Sequence, residues 1–329
     1  MNQAIKLGVS LFSYSSEYYL KRLSLDETLV KAREAGAEAI EIVAAQMMPG
    51  FPYPTQAWLH GLRARCEALG LYPFCYSAHL DSGLRSDRFL TDDEKVMSTV
   101  NDIRNAYEMG AQVVRTQHAI SPELLYQVAP WAEKYRVKVG VEIHPPHRFE
   151  TEVWQRFLKV FRDLDTPYIG VVVDTGIYQE YPYDGWLEAY AQHGVSRETI
   201  QALLALLARD AGVDAARAYV AANGGGAYAR ELAEELFSLY RPYRPDELPE
   251  VMKYVTHFHT KFYHMEGGEE KTIPYAKILD VIVRSGFEGY LISEYEGHYC
   301  YDADRYPAAE QIRAHIAMEK RLLAKTREE

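Results

Sequence analysis

Residues 137–174 read VKVGVEIHPPHRFETEVWQRFLKVFRDLDTPYIGVVVD. Two short valine-rich runs, VKVGVEIH and YIGVVVD, flank TEVWQRFLKVFRDL, a segment with helical spacing. Strands that are apolar along their whole length are buried on both faces, the state of parallel strands covered by crossover helices. The stretch therefore reads as strand, helix, parallel strand, and the same alternation continues in both directions.

Towards the N-terminus it begins with a strand at Leu7–Phe12 and the helix SLDETLVKAREAG, where Ser24 and Glu27 form a capping box. Next come the strand AIEIV (Ala39–Val43), a helix from about Thr55 to Leu69, the strand LYPFCYS and the helix TDDEKVMSTVNDIRNAYEMG, with a second capping box at Thr91 and Glu94. VVRT and a helix near SPELLYQVAPWAEKY complete this half. The joints AREAGAEAIEI and AYEMGAQVVRT both place Gly between helix and strand, as a helix C-cap does. Towards the C-terminus a strand at Val255–Phe262, a helix from about Tyr275 to Ser285, the strand GYLISE and a helix from about Ala308 to Lys325 follow. Eight units predict a (β/α)8 TIM barrel forming a single domain over 1–329.

Between strands six and seven the pattern is interrupted at about 175–250, longer than one connection requires. RETIQALLALLARD and AYARELAEELFSLY read as inserted helices separated by NGGG, and RPYRPDELPE as a polar loop. Such an insertion either overhangs an active site or supplies a subunit interface. The tail KRLLAKTREE reads as a solvated helix end.

The 329 residues are 48% hydrophobic and 25% charged, a globular composition, and 36 basic against 47 acidic residues give a net charge of −11. That balance disfavours nucleic acid as a partner. No secretory leader or membrane span is recognisable, so the expected location is cytoplasmic. Cys66, Cys75 and Cys300 form no CxxC pair and read as structural. There is no GxGxxG fingerprint, and Asn223-Gly-Gly-Gly lies between helices, so NAD is not an expected cofactor.

In a barrel of this kind chemistry sits at the C-terminal ends of the strands. Strand five ends in Glu142-Ile-His144, strand six in Asp174, strand seven carries His257-Phe-His259, and strand eight ends in Glu294. Grouped carboxylates call for a neutralising cation. Three carboxylates and an imidazole suit one ion such as Mn²⁺, with Mg²⁺ and Co²⁺ as further choices, better than a structural zinc site.

The succession VEIH, VVVDTG, HFHTK and LISEYEG resembles the xylose-isomerase-like TIM-barrel superfamily of sugar phosphate isomerases and epimerases. The resemblance implies that Glu142, Asp174, His259 and Glu294 are the metal ligands, with His257 a second-choice ligand or a substrate contact. More narrowly, YSAHLDSGLRSDRFLTDDE, DIRNAYEMGAQVVRT and VEIHPPHR resemble the C-glycoside deglycosidase alpha-subunit subgroup. That likeness implies a substrate already oxidised at C3 of the sugar and a small beta subunit in a hetero-oligomer.

A carbonyl held by a divalent ion acidifies the adjacent C–H. In a 3-oxo-glycoside loss of the C2 proton permits elimination of the C1 substituent, even across a carbon–carbon bond. His144, on the same strand face as Glu142, is placed for proton transfer, and with Glu142 and Glu294 it makes the expected catalytic set. Arg115, His79, Asp81, His257, Lys261 and His298 are expected to bind substrate, with His118, His147 and Glu296 nearby on the rim. Tyr14, Tyr178, Tyr295 and Tyr299 are placed to stack on an aryl group. The leading expectation is a metal-dependent lyase on 3-oxo-glycosides. A sugar isomerase or epimerase acting through an enediolate and a non-catalytic sugar-binding barrel are the alternatives; a repair endonuclease is disfavoured by charge.

Overall fold

The computed structural model of the chain describes residues 5–241 and 247–328. Eight parallel strands close into a barrel: β1 Ile5–Ser10, β2 Ala39–Val43, β3 Tyr72–Ser77, β4 Val113–Gln117, β5 Lys138–Ile143, β6 Ile169–Asp174, β7 Val255–Phe262 and β8 Gly289–Tyr295. Each pairs in parallel with its successor and β8 with β1, so no sheet edge is left open.

The local signals act as expected. Both capping boxes form, at Ser24/Glu27 and Thr91/Glu94, and Gly110 ends its helix with φ at +80°, a left-handed conformation that favours glycine. β1 stops earlier than its apolar run. Its pairing with β2 ends at Ser10, and Leu11–Tyr14 turn into a 3₁₀ helix that buries Leu11 and Tyr14.

Among the described residues the insertion between β6 and β7 contains four α-helices of nine residues or more, Asp184–Gln192, Arg197–Ala208, Val213–Ala222 and Ala227–Leu239, two more than the periodicity predicts. The additional pair is short, and the second of them, VDAARAYVAA, is rich in alanine, which carries little periodic contrast. The four share a core around Leu203, Val220, Leu232 and Leu236. They dock on the C-terminal side of the barrel: Arg148 Nη2 donates to the Leu239 carbonyl at 2.6 Å, Gly185 N donates to the Tyr301 hydroxyl at 3.0 Å, and Tyr183 stacks on Tyr263 at 4.1 Å. Residues 242–246 of the polar loop, residues 1–4 and residue 329 of the tail lie outside the described residues. Among the described residues no helix is long and apolar enough to cross a membrane.

The lumen is graded. At its N-terminal end Ala39, Phe74, Val113 and Ile292 form a plug with Tyr72 and Tyr290. A register shift between Ile40 and Glu41 skips Phe74 in the pairing and lets both Phe74 and Cys75 join this cluster. Gly140 on β5 is required by close approach, because a Cβ there would stand 2.6 Å from Thr256 Oγ1 and 2.7 Å from Val172 Cγ2. Above the plug the lumen turns polar, and the functional groups begin.

A second polar cluster lies outside the barrel wall, under the closing helix Ala308–Glu328. Ser293 Oγ is 3.0 Å from His315 Nδ1 and 3.3 Å from Glu319 Oε2, and His315 stacks flat on Phe262 at 4.0 Å. All three polar groups are buried. Burial pushes the Glu319 carboxyl up to about 8 and the His315 imidazole down to about 3, so this is a neutral network. Between the ordinary carboxylate range and pH 8 the unfolded chain has lost the Glu319 proton and the folded chain keeps it. Stability from this group therefore falls with rising pH, by about 1.4 kcal/mol per unit within that window. Replacing Glu319 by Gln, which preserves an amide donor, should raise stability relative to wild type progressively between about pH 6 and pH 8. Denaturant unfolding of the two proteins at both pH values checks this; a constant difference would show Glu319 ionised in the folded state.

Candidate active site

The barrel register sets Gln117 opposite Glu142, Asp174 opposite His259, and Lys261 opposite Glu294. Because alternate residues of each strand face inward, these pairings bring polar side chains from five strands to one level of the lumen. The closest oxygens of Glu142, Asp174 and Glu294 lie within 4.8 Å of one another. His259 joins them through Nδ1, 2.7 Å from Glu142 Oε1 and 3.4 Å from Glu294 Oε2. The three carboxylates expected as ligands thus converge, and His259 touches two of them, Glu142 and Glu294; each of the four residues is at most 2% exposed.

Two cations are interleaved with them. The Arg115 guanidinium stands 3.7 Å from Glu41, 3.6 Å from Glu142 and 3.8 Å from Glu294, while Lys261 Nζ is 2.6 Å from Asp174 Oδ2 and 3.1 Å from Glu296. Burial alone would raise the Glu142 carboxyl, but the charges of Arg115 and His259 outweigh it and hold Glu142 well below its usual range. For Asp174 burial prevails over the Lys261 charge and the carboxyl is raised. Burial would lower Lys261, yet Asp174 and Glu296 hold it well above its ordinary value.

Five carboxylates (Glu41, Glu142, Asp174, Glu294 and Glu296) face two permanent cations (Arg115 and Lys261). Glu294 Oε1 is buried without a hydrogen bond. Hard oxygens in excess negative charge, converging with one imidazole nitrogen, fit a divalent ion. Glu142, Asp174, Glu294 and His259 would hold it.

Above this point opens a cavity of about 360 Å³, within the ~300–1,000 Å³ span of small-molecule sites. Glu142, Glu294, His144, Arg115, His79 and Lys261 line it, together with Glu296, Gln117, Phe12 and Tyr299. His144 Nδ1 is 2.8 Å from the Pro145 carbonyl, so it donates there and leaves Nε2 as a lone pair; that nitrogen is buried with no partner. The rings of His118 and His147 lie 5.6 and 6.1 Å from the His144 ring. Among the described residues the insertion contributes none to the lining.

Three residues expected to bind substrate lie elsewhere. His257 is fully buried beneath the cavity, against Phe74 and with Nε2 3.3 Å from Glu41. Asp81 is exposed, its carboxylate accepting from Gly83 N at 2.8 Å within a turn. His298 packs between Phe12 and Tyr299, a layer behind two residues that line the cavity. Of the four tyrosines only Tyr299 reaches the cavity. Tyr14, Tyr178 and Tyr295 are at most 3% exposed, because the short 3₁₀ turns that carry Tyr14 and Tyr178, and the last position of β8 that carries Tyr295, place their rings in the core.

Two further residues in contact with the expected ligands were not anticipated. Gln117 Nε2 donates to Glu142 Oε2 at 3.2 Å, and Glu41 on β2 accepts from His259 Nε2 at 2.9 Å. The signal for Glu41 was present in AIEIV: a lone acid inside a fully buried strand needs a partner.

A closed eight-stranded barrel with a ligand set of this kind at its mouth defines a metal-binding TIM-barrel enzyme. The chain belongs to the xylose isomerase-like TIM barrel family, whose model matches residues 29–322. It is 29% identical over 314 residues to the 3'-dehydrocarminate deglycosidase alpha subunit of a Microbacterium species, covering 91% of this chain and 90% of that protein. To a C-glycoside deglycosidase alpha subunit of Arthrobacter globiformis it is 26% identical over 323 residues, covering 88% and 83%. Among solved structures, D-psicose 3-epimerase with D-tagatose from Clostridium cellulolyticum H10 superposes with a TM-score of 0.60 at 13% identity, covering 97% of this chain and 99% of that one. This last likeness is one of fold.

The chain purified in the presence of Mn²⁺ is expected to retain one ion per molecule. Glu294→Gln should lower that occupancy severalfold in elemental analysis while the barrel stays folded by circular dichroism. Full occupancy in the variant would remove Glu294 from the ligand set.

Proposed function

We propose that this chain is the catalytic alpha subunit of a divalent-metal-dependent lyase that cleaves C-glycosides already oxidised at C3 of the sugar. The observation that carries the reading is His144: its Nδ1–H is committed to the Pro145 carbonyl, its Nε2 has no hydrogen-bond partner, and its side chain lines the same cavity as Glu142 and Glu294. The alpha subunits to which the chain is similar support the substrate class.

Held by Glu142, Asp174, His259 and Glu294, an ion such as Mn²⁺ supplies Lewis-acid polarisation of the C3 carbonyl. His144 Nε2 takes the proton from C2. The electron pair of that C–H bond becomes the C1=C2 double bond, and the C1–aglycone pair departs with the aglycone. The carbon released takes up one proton, so no water is consumed. Arg115 helps to keep Glu142 ionised, and Arg115 and Lys261 both present positive charge to sugar oxygens. Tyr299, 63% exposed at the rim, offers a face to the aryl group. A small beta-type subunit completes the assembly in this reading, and Mn²⁺ is the preferred ion.

Incubation with paired aryl C-glycosides, one oxidised at C3 and one not, should release aglycone only from the oxidised compound. Release from the unoxidised glycoside without added oxidant would refute the route. His144→Ala should keep its metal and fold but lose on the order of 10²-fold or more in cleavage, the scale of a positioned acid or base; unchanged turnover would exclude His144 from the reaction.

A further inference from the structure

Beneath the proposed ligands lies a carboxylate that the cleavage chemistry leaves unused. Glu41, the middle residue of β2, is fully buried. Both histidines of β7 converge on one of its oxygens, His259 Nε2 at 2.9 Å and His257 Nε2 at 3.3 Å from Oε2. The other oxygen makes no hydrogen bond and has Arg115 Nε at 3.7 Å. Cys75, directly opposite Glu41 in the ladder, closes a buried group with Glu41 and His257.

The His259 ring therefore stands between two acidic groups, with opposite nitrogens assigned to each. Nδ1 faces Glu142 and Glu294 above, whereas Nε2 faces Glu41 below. An imidazole can donate a lone pair to a metal from one nitrogen while the other carries hydrogen, and which is which is set by the acceptor the N–H finds. Here that acceptor is Glu41.

Resting on the reading of His259 as a metal ligand, we infer that Glu41 is a positioning residue for the metal centre. It accepts the Nε2–H of His259, fixes the tautomer and ring rotation, and so turns Nδ1 towards the place beside Glu142 and Glu294 where an ion would sit. His257 is then a neighbour of Glu41 within the barrel and no substrate contact.

The test uses the full chain and metal alone. Mn²⁺ affinity is read from the free-ion electron paramagnetic resonance signal. The imidazole N–H is read in Co²⁺-loaded protein as a paramagnetically shifted proton resonance that disappears in D2O. Wild type should bind one ion and show one such resonance from His259. Glu41→Leu, which removes the acceptor with little change of bulk, should weaken Mn²⁺ about 10- to 100-fold and lose the resonance to solvent exchange. Glu41→Gln keeps a neutral acceptor and should fall between the two. It also serves if the leucine variant gives no cooperative melt, with about tenfold weakening expected. Affinity within about threefold of wild type with an unchanged resonance, in either folded variant, overturns the role of Glu41 and leaves the lyase reading standing. A wild-type chain that binds no ion overturns both the positioning role and the metal-dependent reading.

Discussion

Confining Glu41, Glu142, Asp174 and Glu294 where each is at most 2% exposed is the constraint around which the mouth of this barrel is built. A buried carboxylate without a partner either takes up a proton or costs several kcal/mol. Arg115 sits among three of them at 3.6 to 3.8 Å, too far for the paired short bonds of a bidentate contact. Its position is a compromise between competing acids, and Lys261 is likewise shared between Asp174 and Glu296. The negative charge that remains is the electrostatic reason a divalent ion fits between Glu142, Asp174 and Glu294.

The closed parallel sheet makes this crowding tolerable. The aromatic and aliphatic plug of Phe74, Tyr290, Val113 and Ile292 seals the lower lumen. Water reaches the charged layer from one side, through the cavity. Low polarizability around the ions strengthens each attraction as well as each repulsion, so position matters more than number. Register shifts tune those positions. The one between Val171 and Val172 skips Thr256 and brings His257 opposite Val172 and His259 opposite Asp174, two steps apart on the same strand.

How much of this was legible in the sequence depends on the kind of signal. β2 and β7 have the bounds their apolar runs predict, and both capping boxes form, because strand burial and helix capping are local properties. The convergence of Glu142, Asp174 and Glu294 was legible because each ends or nearly ends a strand, which barrel topology turns into proximity, whereas His259, three residues short of the end of β7, was picked out by the HFHTK resemblance. Glu41 was not, since its importance is a contact with His259 across 218 residues, from the far side of the barrel. Asp81 and His298 failed for the opposite reason. Loop residues carry no period from which orientation follows, so proximity to a strand end did not specify where their side chains point. The short alanine-rich insertion helices lacked contrast between faces.

The two histidines nearest the chemistry show how a fold assigns different duties to one side chain. His144 gives its Nδ1–H to a neutral backbone carbonyl next to it in the chain, an acceptor that fixes the tautomer without adding charge. His259 is bounded on both sides by carboxylates, Glu142 at 2.7 Å and Glu41 at 2.9 Å, and is held well above the ordinary imidazole range despite its burial. The first environment leaves a nitrogen free to receive a proton at the cavity. The second favours hydrogen on both nitrogens; an ion among the carboxylates would take the place of the one on Nδ1, while Glu41 would keep the one on Nε2. Exchanging the two acceptors would place a buried carboxylate against His144 and favour its charged form, which has no lone pair to offer. It would also leave Nε2 of His259 without a strong anchor. In the proposed reaction the separation of base from ligand thus rests less on the histidines themselves than on what each N–H finds behind it.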